Sequence, residues 1–316
     1  YRKILPGTRN VNFASQKTNS PLKDTFKSGF EYSDCWVDDS RLVILNAVDA
    51  AKNGAKLQNY TKVTKVTKSD GLWLVTTTDS IDGSQNTIKA KCFINASGPW
   101  VDDVLQNSFS DKRSKNVRLV RGSHIVVNKL YDHDKSFICQ NDDGRIFFMI
   151  PYEDKFTLIG TTDVDHGQSA SEVEITEEEK QYICDSANTY LNAEIKLTDI
   201  VWCFSGVRPL YDDGASKAQE ATRDYVIKAE VHDSLLMINI FGGKITTYRR
   251  LSEDILKHIE TFLGQRGNPW TDMSSLPGGD IAIDGKFDLN NKIQEKYPFL
   301  NEELTPIARA DQQQLH

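Results

Sequence analysis

The chain has 316 residues, a formal net charge of −7, and a composition that is 39% hydrophobic and 26% charged. That profile fits a globular protein of one large or two medium domains. The acidic balance, without a long lysine or arginine run, argues against a nucleic-acid footprint, and no apolar stretch approaches the ~18 residues of a membrane-crossing helix. Five scattered cysteines (Cys35, Cys92, Cys139, Cys184, Cys203) form no CxxC pair or metal-like Cys/His cluster. They read as reduced thiols in a reducing compartment, with no metal site.

Residues 1–30 are polar and read as loop with short strands. Residues 41–51, Arg-Leu-Val-Ile-Leu-Asn-Ala-Val-Asp-Ala-Ala, have apolar residues at helical spacing. Asp39 or Ser40 is the expected N-cap and Gly54 the stop. Residues 62–67 and 72–77 flank Asp70-Gly71, which predicts a hairpin with a primed turn. Asp82-Gly83 marks a second turn, and residues 87–95 read as one further strand. That strand runs into Ala-Ser-Gly-Pro-Trp-Val (96–101), which opens a helix with Pro99 in its first turn. Strands are expected at 118–127, 145–150 and 155–160. Thr176 caps a helix running to about Leu191. Glu177, Glu178 and Glu179 read as its solvated start, and Phe147, Phe148 and Trp202 as core. Residues 199–210 read as a strand with an arginine at its end, and 224–229 as one more.

Residues 235–241, Leu-Leu-Met-Ile-Asn-Ile-Phe, are too few for a helix and fit a buried strand. Residues 251–262 return to helical spacing. Between them stand Gly242 and Gly243, whose missing Cβ atoms permit close approach of a ligand. A helix start beyond them would offer free N–H donors and partial positive charge. Lys244 adds a full charge there, and Thr246 and Thr247 add hydroxyls.

Several strings carry a resemblance. They are Phe-Glu-Tyr-Ser-Asp-Cys-Trp-Val-Asp-Asp (30–39), Asn-Ala-Ser-Gly-Pro-Trp (95–100), Arg-Gly-Ser-His-Ile-Val (121–126), Ile-Gly-Thr-Thr-Asp (159–163), Ser-Gly-Val-Arg-Pro-Leu (205–210), Thr-Arg-Asp-Tyr (222–225) and Gly-Gly-Lys-Ile-Thr-Thr-Tyr-Arg (242–249). In this order and spacing they resemble FAD-dependent, quinone-linked glycerol-3-phosphate dehydrogenases of the glycine oxidase/D-amino-acid oxidase superfamily. That family's N-terminal GxGxxG unit is not found here. The chain opens at Tyr1 and closes on Gln-Gln-Gln-Leu-His, so it reads as a piece of a longer protein.

The resemblance implies a mixed α/β fold. A partial FAD-binding domain would hold a mixed sheet, interleaved with an antiparallel β substrate domain and followed by a truncated helical region. The expected boundaries are 1–30 for a substrate-domain segment and 31–104 for an FAD-domain segment. The β substrate domain would be 105–229, and 230–265 a second FAD-domain segment with the strand, glycine pair and helix. Residues 266–316 would be a linker and the start of the helical domain.

The implied reaction oxidises sn-glycerol 3-phosphate to dihydroxyacetone phosphate, with FAD as cofactor and a quinone as acceptor. The implied location is the cytoplasmic face of the cell membrane, held peripherally, and a homodimer is allowed. Oxygen as acceptor and a fragment without bound flavin are the competing readings.

A phosphate dianion calls for arginine, whose planar fork stays charged and binds oxygens in pairs. Arg208 and Arg223 are the candidates, with Tyr225 as a further substrate contact. His124, an imidazole between strand residues, is preferred as the proton acceptor because arginine is a poor base. Lys244 is the other contender, or a stabiliser of developing negative charge at the flavin or substrate oxygen. Gly98, Pro99 and Trp100 resemble a loop at the adenosine or pyrophosphate end of the cofactor. Gly242, Gly243, Lys244, Ile245, Thr246 and Thr247 would face the flavin.

Overall fold

The computed structural model describes residues 5–13, 20–109, 115–214, 222, 224–280, 282 and 285–299. Two units emerge, one of Tyr1–Ser33, Thr64–Val75 and Ile88–Lys244, the other of Asp34–Val63, Thr76–Thr87 and Ile245–His316.

The first unit opens with a short antiparallel pair, β1 (Arg9–Asn12) and β2 (Ser28–Glu31). In the second unit, α1 (Asp39–Lys52) starts two residues before the helical spacing of 41–51. Its cap is Asp38, whose carboxylate accepts from the Arg41 N–H at 2.9 Å.

The hairpin of β3 (Thr61–Ser69) and β4 (Leu72–Asp79) turns at Asp70 and Gly71. Both have positive φ (53° and 68°), as a type I′ turn requires. The single strand expected at 87–95 is two strands. β5 (Gln85–Ala90) completes a sheet ordered β3-β4-β5, whereas β6 (Cys92–Asn95) leaves for another sheet. Lys91 separates them, and a run of strand-forming residues cannot signal in advance that its two halves will find different partners.

In the first unit, β6 leads through a 3-10 turn (Gly98–Trp100) into α2 (Val101–Ser108). A six-stranded antiparallel sheet follows. Its strands are β7 (Val117–Asn128), β8 (Phe137–Gln140), β9 (Ile146–Tyr152), β10 (Phe156–Gly160), β11 (Val164–Asp165) and β12 (Ile200–Tyr211). The order is β11-β7-β10-β9-β8, with β12 also on β7. β8 was not foreseen, because four residues give too little alternation to read.

Helix α3 (Glu177–Tyr190) begins with a full capping box between Thr176 and Glu179 and packs across β7 and β10. It buries Ile183, Cys184 and Ala187 against Ile125, Val127, Phe147, Met149 and Ile159. Each large apolar side chain taken out of water there contributes about 1.5–3 kcal/mol.

The third sheet of this unit runs β13-β14-β6. β13 (Val226–His232) is antiparallel to β14 (Leu235–Phe241), and β6 is parallel to it. Every residue of β14 is buried, as its unbroken apolar run suggested.

In the second unit, residues 245–247 are a 3-10 turn leading into α4 (Tyr248–Leu263). The glycine pair therefore does not open directly into an α-helix. The last described helix is α5 (Lys286–Lys296). No helix among the described residues is long and apolar enough to cross a membrane.

Candidate active site

Side chains alternate across a strand, so β7 and β12 each send one set toward α3 and the other set to the opposite face. Register puts His124 opposite Phe204, Gly122 opposite Gly206, and Val120 opposite Arg208. The His124 and Phe204 rings stack with centroids 4.9 Å apart and planes 11° from parallel. On that same face Arg208 Nη1 donates to Asp163 Oδ1 at 2.6 Å, and its Nη2 donates to Thr161 Oγ1 at 3.2 Å. Two of the predicted site residues, His124 and Arg208, thus belong to one patch.

Two glycines make room for it. A Cβ on Gly122 would stand 2.7 Å from Thr161 Oγ1 and 2.9 Å from both Arg208 Nη atoms. A Cβ on Gly160 would stand 2.4 Å from His124 Cδ2. Both separations are shorter than van der Waals contact allows, so glycine is what lets the imidazole and guanidinium lie flat on the sheet.

The His124 imidazole is pushed down to about 4, first by burial and then by the Arg208 charge. A free imidazole titrates near neutrality, but burial disfavours the charged ring and the nearby cation adds to that. At neutral pH it is a neutral acceptor. Its Nδ1 is buried and has no hydrogen-bond partner among the described residues. A buried polar atom left unpaired is costly, and a bound molecule could satisfy it.

Asp163, Thr161, Gly122 and Gly160 all lie within the family-like strings, yet none was assigned a role there. The only signal was their position beside His124 and before the sheet's end, and pairing across strands is not visible in a linear string. A second surprise lies on the other face. Glu179, expected to be solvated, is buried and accepts from Arg121 Nη2 at 2.9 Å, Ser123 Oγ at 2.9 Å and Thr162 Oγ1 at 2.9 Å. Trp202, expected in the core, is instead 54% exposed. Phe147 is buried, and Phe148 is half-buried on the open face.

The glycine pair converges on the same end of β12. Gly242 and Gly243 have φ of 69° and 95°, in the left-handed region that glycine adopts without strain. A Cβ on Gly242 would lie 3.0 Å from Asp224 O and 3.5 Å from Pro209 O, and one on Gly243 would lie 3.2 Å from Tyr225 Cβ. The turn is thus seated against Pro209, the neighbour of Arg208, and against Tyr225. Lys244 is exposed at its tip. Arg223 lies outside the described residues.

The Gly98–Trp100 turn rests against β12. Asn95 fixes it from below, donating to Val101 O at 3.0 Å and to Asn239 Oδ1 at 3.1 Å. Gly98 has φ of 56°, and nothing stands within 4 Å of the place its Cβ would take. Trp100 is partly exposed and donates to Ser171 Oγ at 3.3 Å. In the other unit, Ile245 and Thr246 are exposed and Thr247 half-buried. No cluster of metal-ligating side chains occurs among the described residues.

The sequence profile of the family DAO, FAD dependent oxidoreductase, matches residues 9–249. The chain belongs to this family of FAD dependent oxidoreductases. It is 41% identical over 299 residues to the D-erythritol 1-phosphate dehydrogenase of Brucella abortus (strain 2308), covering 95% of this chain and 60% of that one. It is 40% identical over 306 residues to the aerobic glycerol-3-phosphate dehydrogenase of Escherichia coli (strain K12), covering 96% and 60%. Among solved structures, the glycerol-3-phosphate dehydrogenase from Bacillus halodurans complexed with FAD superposes with a TM-score of 0.75 at 27% identity, over 92% of this chain and 57% of that one. The chain thus spans about three-fifths of the length of the relatives it matches. The mixed α/β architecture anticipated from the strings is the one observed.

Proposed function

We propose that this chain carries the substrate-binding face and part of the flavin edge of an FAD-dependent enzyme that oxidises sn-glycerol 3-phosphate to dihydroxyacetone phosphate. The observation that carries the reading is Arg208, held at one face of the sheet by Asp163 and Thr161 beside a neutral His124. Those two bonds leave further guanidinium N–H donors for phosphate oxygens.

The residues present fit an FAD. Gly98 faces open space, the Gly242 and Gly243 turn has a conformation suited to close backbone approach, and His124 Nδ1 is a buried atom without a partner among the described residues. Gly98, Pro99 and Trp100, with Gly242, Gly243 and Lys244, would hold the cofactor. Bound FAD would supply the oxidising power, accepting a hydride from the carbinol carbon.

The remaining work falls to side chains of this chain. Arg208 binds and orients the phosphate, with Tyr225 and Arg223 as further contacts. His124 accepts the hydroxyl proton at a ring nitrogen, and the stacked Phe204 keeps that ring in place and shields it from water. The phosphate offsets the Arg208 charge, so substrate binding itself makes His124 a stronger base. Lys244 supplies positive charge beside the glycine turn.

A second reading takes D-erythritol 1-phosphate as the substrate, favoured by the 41% identity to that dehydrogenase. Both substrates place an oxidisable carbinol near a terminal phosphate. The reading extends to a quinone acceptor, a peripheral seat on the cytoplasmic face of the membrane, and a homodimer, each resting on the sequence resemblance.

The test uses the full-length protein loaded with FAD. Anaerobic addition of glycerol 3-phosphate should bleach the flavin absorbance, and kcat/KM for the two polyol phosphates should rank them. If neither bleaches it, the reading is wrong. Quinone reduction against oxygen uptake then separates the acceptors.

A further inference from the structure

Glu179 is a buried carboxylate that the proposed chemistry does not use. Its role as the helix cap takes one oxygen only, Oε2, which accepts from the Thr176 N–H at 3.0 Å. That oxygen also receives Arg121 Nη2 at 2.9 Å. The other oxygen, Oε1, has nothing to do with capping. It accepts from Ser123 Oγ and Thr162 Oγ1, both at 2.9 Å, and from Arg121 Nε at 3.3 Å. Ser123 Oγ lies 2.8 Å from Ser205 Oγ, and Thr162 Oγ1 accepts in turn from the Ser123 N–H at 3.0 Å. Ser123, Thr162 and Glu179 are all buried. Burial raises the carboxyl, and these bonds outweigh it, so its pKa lies below the usual carboxylate range and the group stays charged.

The residues tied to this carboxylate are the chain neighbours of the active ones. Ser123 sits between Gly122 and His124. Thr162 sits between Thr161 and Asp163, the two residues that hold Arg208. Ser205 faces Ser123 on β12, the strand that carries Arg208 three residues later. Alternation along β7 and β12 sends Ser123 and Ser205 inward and His124 and Arg208 outward, and in the link after β10 Thr162 turns to Glu179 while Thr161 and Asp163 turn to Arg208. A shift of any inward hydroxyl therefore moves the adjoining outward residue.

We propose that Glu179 is a positioning residue for the anion site, a carboxylate on the α3 side of the sheet that fixes where Arg208 and His124 stand by clamping Ser123, Thr162 and, through Ser123, Ser205. The proposal rests on the reading of Arg208 as the phosphate ligand. A buried carboxylate suits this task because it has about four acceptor directions, enough to collect donors from a strand, a loop and a helix start.

The test uses the full-length flavoenzyme and the pair Thr162→Val and Thr162→Ser. Valine keeps the volume and removes the hydroxyl; serine restores it. In the valine variant, KM for the polyol phosphate and the inhibition constant of inorganic phosphate should each rise about tenfold, with kcat within about threefold. The serine variant should return both to within about twofold of the parent. The milder Ser205→Ala should raise both constants about twofold to threefold, and it serves where Thr162→Val fails to fold. Phosphorus NMR line broadening of inorganic phosphate reads the same binding without turnover.

A lowered melting temperature with unchanged KM and phosphate binding in these variants would leave the clamp a purely stabilising device and overturn the proposal. Failure of the functional reading looks different. There, Arg208→Ala would bind phosphate as well as the parent, and the positioning role would fall with it.

Discussion

Two arginines on adjacent strands of one sheet show how the same ion pair can serve opposite ends. Arg121 on β7 faces α3 and pairs with Glu179, with side-chain exposures of 16% and 8%. Arg208 on β12 faces the other way and pairs with Asp163, with exposures of 37% and 17%. Register sets Arg121 opposite Val207 and Arg208 opposite Val120, so little more than one rung separates them along the ladder. The inward pair is walled by hydroxyls and apolar side chains, so little solvent is at hand to replace a lost partner. The outward pair has solvent on one side, so a second anion can join or displace the first at low cost. Stability is concentrated on one face and ligand exchange on the other.

Four measurements test that contrast. The largest effect is expected from Arg121→Met, which strands the Glu179 charge in a dry site. Removing one partner of a buried pair typically costs about 3–5 kcal/mol, to be read by chemical denaturation. A loss below about 1 kcal/mol would mean that water reaches Glu179 after all.

Arg208→Ala should behave in reverse. Its half-exposed pair contributes at most about 1 kcal/mol to folding. Loss of two charge-assisted bonds to phosphate at about 1.5 kcal/mol each should lower kcat/KM for glycerol 3-phosphate about a hundredfold.

The third measurement follows pH. A histidine whose folded value is depressed to about 4 from 6.5 binds its proton more readily in the unfolded chain. Stability is then fully present above about pH 6.5 and falls as the pH drops toward 4, by an amount on the order of 2–3 kcal/mol. His124→Phe should remove that slope. Glu179, whose value is lowered, acts in a separate window, because its contribution is lost only as the pH falls below the ordinary carboxylate range. NMR titration of His124 should also show its pKa rising when inorganic phosphate is added, and rising without phosphate in Arg208→Ala. An unmoved titration in both cases would mean the two side chains are electrically independent.

The smallest effect is expected from Gly122→Ala. The new methyl meets the ends of Arg208 and Thr161 rather than backbone, so the side chains can give way. Stability should change by about 1 kcal/mol or less, while KM rises severalfold. Gly160→Ala offers a harsher control, because there the methyl meets the Ser123 carbonyl and the buried His124 ring together.

Short-range signals in the chain were enough to specify its local elements. Asp70-Gly71 dictated its turn, Thr176 and Glu179 dictated the start of α3, and the apolar run of residues 235–241 dictated a strand buried on both faces. The sequence also singled out His124, Arg208 and the glycine pair, because their strings are uncommon and keep a family's order. Tertiary structure alone decided that residues 85–95 divide between two sheets, and that Glu179 turns inward while its neighbours Glu177 and Glu178 stay in water. It also decided that Trp202 stays outside, that Asp163 and Thr161 are the partners of Arg208, and that burial leaves His124 neutral. The physical reason is common to all of these. Turns and caps are settled by residues within a few positions of each other, whereas pairing across strands, and the desolvation that sets a pKa, depend on residues tens of positions apart.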